Sequence, residues 1–362
     1  MKVLISGGGT GGHIFPALSI ANALRRRDPD TEILFVGADN RMEMERVPAA
    51  GYKIVGLPVA GFVRRKLWRN IPVLYKLWKS MNIAGKVLRD FKPDIAIGVG
   101  GYASGPMLKR AQKAGIPTLI QEQNSYAGVT NKLLAKNAGA ICVAYDNMDR
   151  FFPADKITMT GNPVRADILD CNVSKEDAKK ELGFDPERPL VVMVGGSLGA
   201  RAMNDAMKVA LRPIVEAGAS VLWQSGKNYP DECADAAKGV ENVIATPFIS
   251  RMDLVYKAAD ILVSRAGAST ISEIQLVGIP SILIPSPNVA EDHQRKNALA
   301  LVEKDAAVMI PDSDCSQLLA PTVIDLLKDP EARERLAVNA AKMGLKNADE
   351  KIVDKIYELL KK

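Results

Sequence analysis

The chain is 362 residues long, more than one ordinary core accommodates and suited to two domains. With 47% hydrophobic and 25% charged residues it is not a disordered polypeptide, and no run of about 18 apolar residues is available to span a bilayer. The net charge of +6 is uneven: residues 1–165 hold 24 Lys and Arg against 12 Asp and Glu, and the remainder holds 24 against 30. The first half is therefore expected to face something anionic, a membrane surface or a nucleic acid.

In chain order, the apolar run Val3-Leu4-Ile5 gives way to glycines, too short for a signal-peptide core, so a cytoplasmic location is expected. Strands are predicted at Lys2–Ser6, Glu32–Val36, Lys53–Leu57, Ile95–Val99, Thr118–Gln121 and Ile141–Ala144, with helical stretches between most of them. Such alternation implies a parallel sheet covered by helices on both faces. Lys156–Thr160 with Gly161-Asn162-Pro163 reads as a turn at a domain boundary. The pattern then restarts, with strands at Leu190–Val194, Ser220–Trp223, Val243–Ala245, Ile261–Ser264, Ser281–Ile284 and Ala307–Ile310. The fold expected is α/β, with two doubly wound, Rossmann-like domains facing a cleft: residues 1–163, joined by a returning C-terminal helix at about 343–362, and residues 164–342.

Each domain opens on a strand followed by glycines, Gly7-Gly8-Gly9-Thr10-Gly11-Gly12 and Gly195-Gly196-Ser197-Leu198-Gly199-Ala200. Glycines permit sharp turns and close approach of a ligand, and the N–H groups of the following helix point at an anion. Pro16 is expected in the first turn of a helix starting near Ile14, where its missing N–H is harmless. Gly100-Gly101 ends a further strand. Two loops in two domains suit a substrate with two phosphates or two phosphorylated substrates. Gly7, Gly9 and Gly12 also satisfy GxGxxG, with Asp39 ending the second strand, so an NAD-type oxidoreductase is the alternative.

Cys142, Cys171, Cys233 and Cys315 are scattered, and neither histidine, His13 or His293, lies near them in sequence. Neither a zinc site nor a disulfide framework is expected. Asp312-Ser313-Asp314 has the DxD form of a metal-dependent transferase class, but Asp314 is expected to cap the helix that follows, and no metal is assigned.

The segments GGGTGGHIFPALSIA, GVGGYASGP, QEQNSYAGVTNKLLA, GNPVR, GGSLGAR, SRAGASTISEI and EDHQRKNA occur in that order between Gly7 and Ala298. As a set they closely resemble the MurG family, the peptidoglycan transferases that convert lipid I to lipid II. The resemblance implies a GT-B fold and inverting transfer of N-acetylglucosamine from UDP-GlcNAc. It implies a C-terminal donor domain in which Ser197 meets the phosphates and Arg165 and the backbone near Ile249 border the uracil. Ala268-Ser269-Thr270-Ile271-Ser272-Glu273 would cradle the nucleotide, Glu273 accepting from the ribose hydroxyls, and Gln294 would contact the sugar. Arg295 departs from relatives that carry a second glutamine there. The N-terminal domain would hold the acceptor, with Thr10-Gly11-Gly12 and Gly100-Gly101 at its pyrophosphate and Asn124 as a further binding residue. On sequence alone, the lesser alternative for Glu273 is a first-turn acid placed for the helix dipole, and His293 is read as a surface residue of the helix that carries Gln294.

A sugar hydroxyl attacks poorly unless its proton is removed. His13 is the first candidate for that base and Glu122 a weaker one. From Phe62 to Lys79 two tryptophans, several aliphatics and six basic residues interleave. Leu67, Trp68, Ile71, Leu74 and Trp78 are expected to face an anionic membrane surface, as a polyprenyl acceptor requires; a core-facing amphipathic helix is the alternative. The partners expected are thus UDP-GlcNAc, lipid I, the cytoplasmic face of the plasma membrane and other cell-wall synthesis proteins, without nucleic acid, because no base-reading element is visible. No cofactor is expected.

Overall fold

The computed structural model describes residues 1–61, 71–164 and 166–361. The chain divides into two compact units, Met1–Val164 with Leu345–Lys362, and Arg165–Gly344. The first unit runs β1 (Lys2–Ser6), α1 (Gly11–Arg27), β2 (Glu32–Ala38), α2 (Glu43–Ala49), β3 (Lys53–Leu57), α3 (Ile71–Phe91), β4 (Ile95–Gly98), α4 (Ser104–Lys113), β5 (Thr118–Glu122), α5 (Val129–Ala135), β6 (Ala140–Val143) and β7 (Ile157–Met159). The second runs α6 (Ala166–Leu169), α7 (Lys175–Glu181), β8 (Leu190–Val194), α8 (Arg201–Glu216), β9 (Ser220–Gln224), α9 (Pro230–Ala237), β10 (Val243–Thr246), α10 (Met252–Ala258), β11 (Ile261–Ser264), α11 (Ala268–Val277), β12 (Ser281–Leu283), α12 (His293–Val302), β13 (Val308–Met309), α13 (Cys315–Lys328) and α14 (Pro330–Lys342). The closing helix α15 (Ala348–Leu360) belongs to the first unit.

The first sheet has the order β3-β2-β1-β4-β5-β6-β7 and the second β10-β9-β8-β11-β12-β13. Every pairing is parallel, as in Val3 opposite Ile33 on one side and Ile95 on the other. In both sheets the winding reverses beside the first strand, between β1 and β4 and between β8 and β11. Such a reversal opens a crevice at the carboxyl ends of the strands, where open α/β sheets bind ligands. The glycine loops leave from those two strands.

Alternation along β1 sorts its side chains between two cores. Val3 and Ile5 join Ile20, Leu24, Ile97 and Ile356 on one face, and Leu4 joins Val36, Ala96 and Met107 on the other, all buried. Each of these Val, Leu, Ile and Met side chains contributes about 1.5–3 kcal/mol. The closing helix buries Ile352, Val353 and Ile356 in the first of these cores. Arg26 reaches its Asp349 at 2.7 Å and Glu350 at 2.9 Å, but these pairs are exposed and add little. In the second unit Trp223, Met203, Met207 and Leu319 share one core.

Three local expectations are corrected. Within Lys156–Thr160, read as a turn, Ile157–Met159 pairs with Ile141–Val143 as the seventh strand. Helix α1 starts at Gly11, so Pro16 lies inside it and withholds the N–H that would reach the Gly12 carbonyl. Asp314 occupies the N-cap of α13, but its side chain makes no capping bond; it accepts from the Ser313 hydroxyl at 2.8 Å.

Cys142, Cys171, Cys233 and Cys315 are free thiols. Burial pushes Cys142 up to about 12 and Cys315 up to about 11, so neither is a ready nucleophile.

Candidate functional site

In the first unit the two N-terminal glycine segments meet backbone to backbone. Gly101, at φ +83°, lies so close to Gly8 that a Cβ there would stand 2.3 Å from the Gly8 carbonyl oxygen. A Cβ on Gly7 would strike Val99. Thr10, Gly11, Gly12, Gly100 and Gly101 are therefore gathered at the carboxyl ends of β1 and β4. Thr10 is the N-cap of α1 without bonding an N–H through its side chain. Its hydroxyl instead lies 3.1 Å from His13 Nδ1. The Cδ2–Nε2 edge of the half-buried imidazole lies against Gly100, where a Cβ would come within 2.7–2.8 Å. Gly100 and Gly101 are thus required by the histidine on one side and the neighbouring loop on the other.

Glu122, at the end of β5, is 1% exposed. Its carboxylate accepts from the Asn124 N–H at 3.1 Å, Asn124 Nδ2 at 3.2 Å, the Gly128 N–H at 2.9 Å and Asn131 Nδ2 at 2.9 Å. Four donors on two buried oxygens suit holding the 124–128 loop rather than collecting a proton from a substrate. Beside it lies an amide chain that sequence reasoning did not single out. Gln121 donates to Asn162 Oδ1 at 2.8 Å, Asn162 donates to the Gln123 carbonyl at 2.9 Å, and Gln123 donates to the Val99 carbonyl at 2.7 Å. These residues stand inside the quoted QEQN and GNPVR segments, so the motifs marked them without revealing that they bond one another.

In the second unit the loop after β8 rests on the loop after β9. Ser197 and Leu198 accept through their carbonyls from the N–H groups of Lys227 and Asn228 at 3.1 and 3.3 Å. Gly199, at φ +85°, is so near that a Cβ would stand 2.2 Å from the Ser225 carbonyl oxygen. Asn204 ties the start of α8 to the same place, accepting from the Trp223 indole at 3.0 Å and donating to the Ser225 carbonyl at 2.9 Å. Ile249 lies buried after β10.

Ala268–Ser272 form the first turn and a half of α11, and Glu273 follows in the second turn. That position removes the helix-dipole explanation, which acts on the first turn. Glu273 is 8% exposed, and its Oε2 accepts from the buried Tyr256 hydroxyl at 2.5 Å. Tyr256 was not foreseen: it stands 17 residues earlier on α10, and only packing reveals the pair. Gln294, in α12, accepts through Oε1 from the Ser286 N–H at 2.8 Å, which turns its NH2 end to other acceptors. Arg295 is exposed and lies 3.7 Å from Asp292. His293 is half-buried, not the surface residue expected.

Arg165, Leu67 and Trp68 lie outside the described residues, as does the side chain of Ile71. Leu74 and Trp78 are 54% and 63% exposed. Tyr75, equally exposed, stacks on Trp78 with ring centroids 6.2 Å apart. The first two turns of α3 thus present apolar and aromatic side chains beside the exposed Lys76 and Lys79, while Ala84, Val87 and Leu88 of its second half enter the core. Among the described residues no helix is long and apolar enough to cross a membrane, and no group of three His, Cys, Asp or Glu side chains is placed to hold a metal ion.

Two Rossmann-like units, each opening on a glycine loop at its sheet's winding reversal, make up the GT-B fold. The chain belongs to glycosyltransferase family 28: the family's N-terminal domain matches residues 3–143 and its C-terminal domain residues 190–352. It is 54% identical, over all of its length and 99% of the relative's, to the UDP-N-acetylglucosamine–N-acetylmuramyl-(pentapeptide) pyrophosphoryl-undecaprenol N-acetylglucosamine transferase of Parabacteroides distasonis. The enzyme of the same name from Bacteroides fragilis is 51% identical over 99% of this chain and 96% of its own. Among solved structures, MurG of Acinetobacter baumannii superposes with a TM-score of 0.81 at 28% identity, covering 99% of both chains. A Neisseria meningitidis UDP-GlcNAc 2-epimerase shares the fold, with a TM-score of 0.71 at 15% identity over 99% of this chain and all of that one. The oxidoreductase alternative falls with these findings.

Proposed function

We propose that the chain transfers N-acetylglucosamine from UDP-GlcNAc to the 4-hydroxyl of the N-acetylmuramoyl unit of lipid I, with inversion, forming lipid II and UDP. The observation that carries this reading is 54% identity along the whole chain to a transferase of that name.

The second unit takes the donor. The diphosphate lies at Ser197 and the start of α8, where helix N–H groups favour an anion and stabilise charge developing on the leaving UDP. Glu273, with one oxygen engaged by Tyr256, accepts from the ribose hydroxyls. The backbone at Ile249 borders the uracil, Ala268–Ser272 line the nucleotide, and the Gln294 NH2 donates to a sugar hydroxyl. The first unit takes the acceptor, its pyrophosphate at Thr10–Gly12 and Gly100–Gly101, with Asn124 held toward it by Glu122.

His13 is the general base. The tautomer that carries its proton on Nδ1, beside the Thr10 hydroxyl at 3.1 Å, puts the lone pair on Nε2. It takes the 4-hydroxyl proton as that oxygen forms a bond to the sugar C1, and the C1–O bond to UDP breaks with its electron pair leaving on the phosphate. The imidazolium then releases its proton to water. No protein-bound metal takes part. Leu74 and Trp78 rest on the cytoplasmic face of the plasma membrane, where anionic headgroups attract the interleaved lysines, and other cell-wall synthesis proteins work beside the enzyme.

Transfer of radiolabelled GlcNAc to a lipid I analogue, with UDP-glucose and UDP-GalNAc as competitors, tests the reaction. Label should appear in the lipid and be displaced little by either competitor; well-folded protein that moves no label overturns the assignment. For the membrane face, Leu74→Glu and Trp78→Glu should lower co-sedimentation with phosphatidylglycerol vesicles, and unchanged sedimentation would rule out this surface.

A further inference from the structure

The first glycine loop is braced from beneath by a side chain that no motif includes. Glu43, the first residue of α2, is 1% exposed. Its carboxylate accepts from the Gly9 N–H through both oxygens, at 3.0 and 2.9 Å, and from the Ala38 N–H at 2.9 Å. Gly8, at φ +143°, lies flat against it: a Cβ there would stand 2.1 Å from Glu43 Oε1. Gly37 makes room for the stem, since a Cβ on it would stand 2.5 Å from Glu43 Cγ. On its far side Gly8 meets Gly101. The loop is therefore clamped between a buried carboxylate and the second glycine segment.

We infer that Glu43 is a positioning residue for acceptor binding, its carboxylate fixing the glycine loop in the conformation that receives the acceptor pyrophosphate. The inference rests on the assignment of Thr10–Gly12 to that pyrophosphate. Charge-assisted bonds from backbone N–H groups to a carboxylate are strong, and a buried carboxylate must keep such partners. The Gly9 N–H is turned toward Glu43, so the anion is met by the start of α1 and by Gly100–Gly101. The same carboxylate explains why a GxGxxG sequence does not here serve a dinucleotide. In that mode the middle glycine lets the pyrophosphate approach the backbone, and at Gly9 the protein's own anion is already bonded.

Steady-state kinetics with donor and acceptor varied separately tests this. Glu43→Ala should raise the acceptor KM about ten- to a hundredfold, the scale of losing bonds to a charged group, and leave the UDP-GlcNAc KM within about twofold. Glu43→Gln keeps a carbonyl oxygen for both N–H groups and should recover most of the loss. Should Glu43→Ala fail to fold, Glu43→Asp, too short to reach Gly9, replaces it. Hydrogen exchange over residues 7–13 should quicken in the impaired variant and not in Glu43→Gln. Gly12→Leu is the control, because a Cβ at Gly12 meets only Thr10 Oγ1, at 3.7 Å; its side chain enters the space before the loop. An acceptor KM raised by Gly12→Leu but not by the impaired Glu43 variant overturns the positioning role alone. An acceptor KM that Gly12→Leu leaves unchanged overturns the acceptor assignment, and the inference with it. Equal losses toward donor and acceptor in Glu43→Ala would reduce Glu43 to general stability and also overturn it.

Discussion

The two glycine loops occupy the same topological place, after the first strand of a sheet and before a helix, yet they are braced by different chemistry. The loop of the first unit rests on a buried carboxylate and a second glycine turn. The loop of the second unit rests on the backbone of residues 225–228, with Asn204 and Trp223 pinning the helix behind it. One loop already holds an anion on its underside, and the other rests on backbone carbonyls and N–H groups and on the Tyr229 ring. A shared fold therefore puts a glycine loop at the same place in each unit, while each loop's support decides which of its N–H groups are already bonded.

The comparison is broken most severely by removing a group that only one unit supplies. His13→Ala should lower kcat about 10²- to 10⁴-fold, the ordinary span for a general base, with the UDP-GlcNAc KM nearly unchanged. Near-normal turnover by folded variant would mean that another group takes the proton.

The donor carboxylate comes next. Glu273→Gln should raise the UDP-GlcNAc KM about ten- to a hundredfold and leave the acceptor KM in place. Tyr256→Phe should produce a smaller rise of the same kind, about three- to tenfold, because it removes one bond to Glu273. If the two KM values rise together in either variant, the units do not divide the substrates as proposed.

A matched pair of glycine substitutions sharpens the contrast directly. Gly101→Ala and Gly199→Ala each force a Cβ into backbone at positive φ, a strain of about 1–3 kcal/mol before any contact is counted. Each should raise one KM by about tenfold, the acceptor's for Gly101 and the donor's for Gly199. Exchanged effects would reverse the assignment of the units.

The smallest effect is a difference in acid tolerance. Asp260 in the second unit is mostly buried, which raises its proton affinity. Lys175 at 2.6 Å, the Leu190 N–H at 2.8 Å and Lys179 at 3.0 Å outweigh that and hold its carboxyl below the usual range. A depressed carboxylate contributes stability that is present above the unfolded value, about 3.9, and is lost as pH falls through the folded one. Unfolding followed from pH 5 toward pH 2 should show the second unit losing this contribution in the native chain and a flatter dependence in Asp260→Asn. An unaltered pH dependence would show that Asp260 is not a source of the acid sensitivity.

Much of this molecule was legible in its sequence, for a physical reason. Central strands of a parallel sheet are buried on both faces, so Lys2–Ser6, Leu190–Val194 and Ile261–Ser264 read as short apolar runs with the bounds the structure gives them; the edge strand Lys53–Leu57 is only partly buried but carries the same bounds. Glycines at the ends of such runs announced the loops, and the ordered motifs announced the family. Ile157–Met159 was missed as a strand because it is short, partly exposed at the sheet edge and next to a turn signal. Tertiary structure alone decided the partners: Glu43 with Gly9 across 34 residues, Tyr256 with Glu273 across 17, and Glu122 with the 124–128 loop it holds. Local pattern reports which face of an element is buried. Which carboxylate meets which donor depends on long-range approach, and that is set only when the sheets and helices pack.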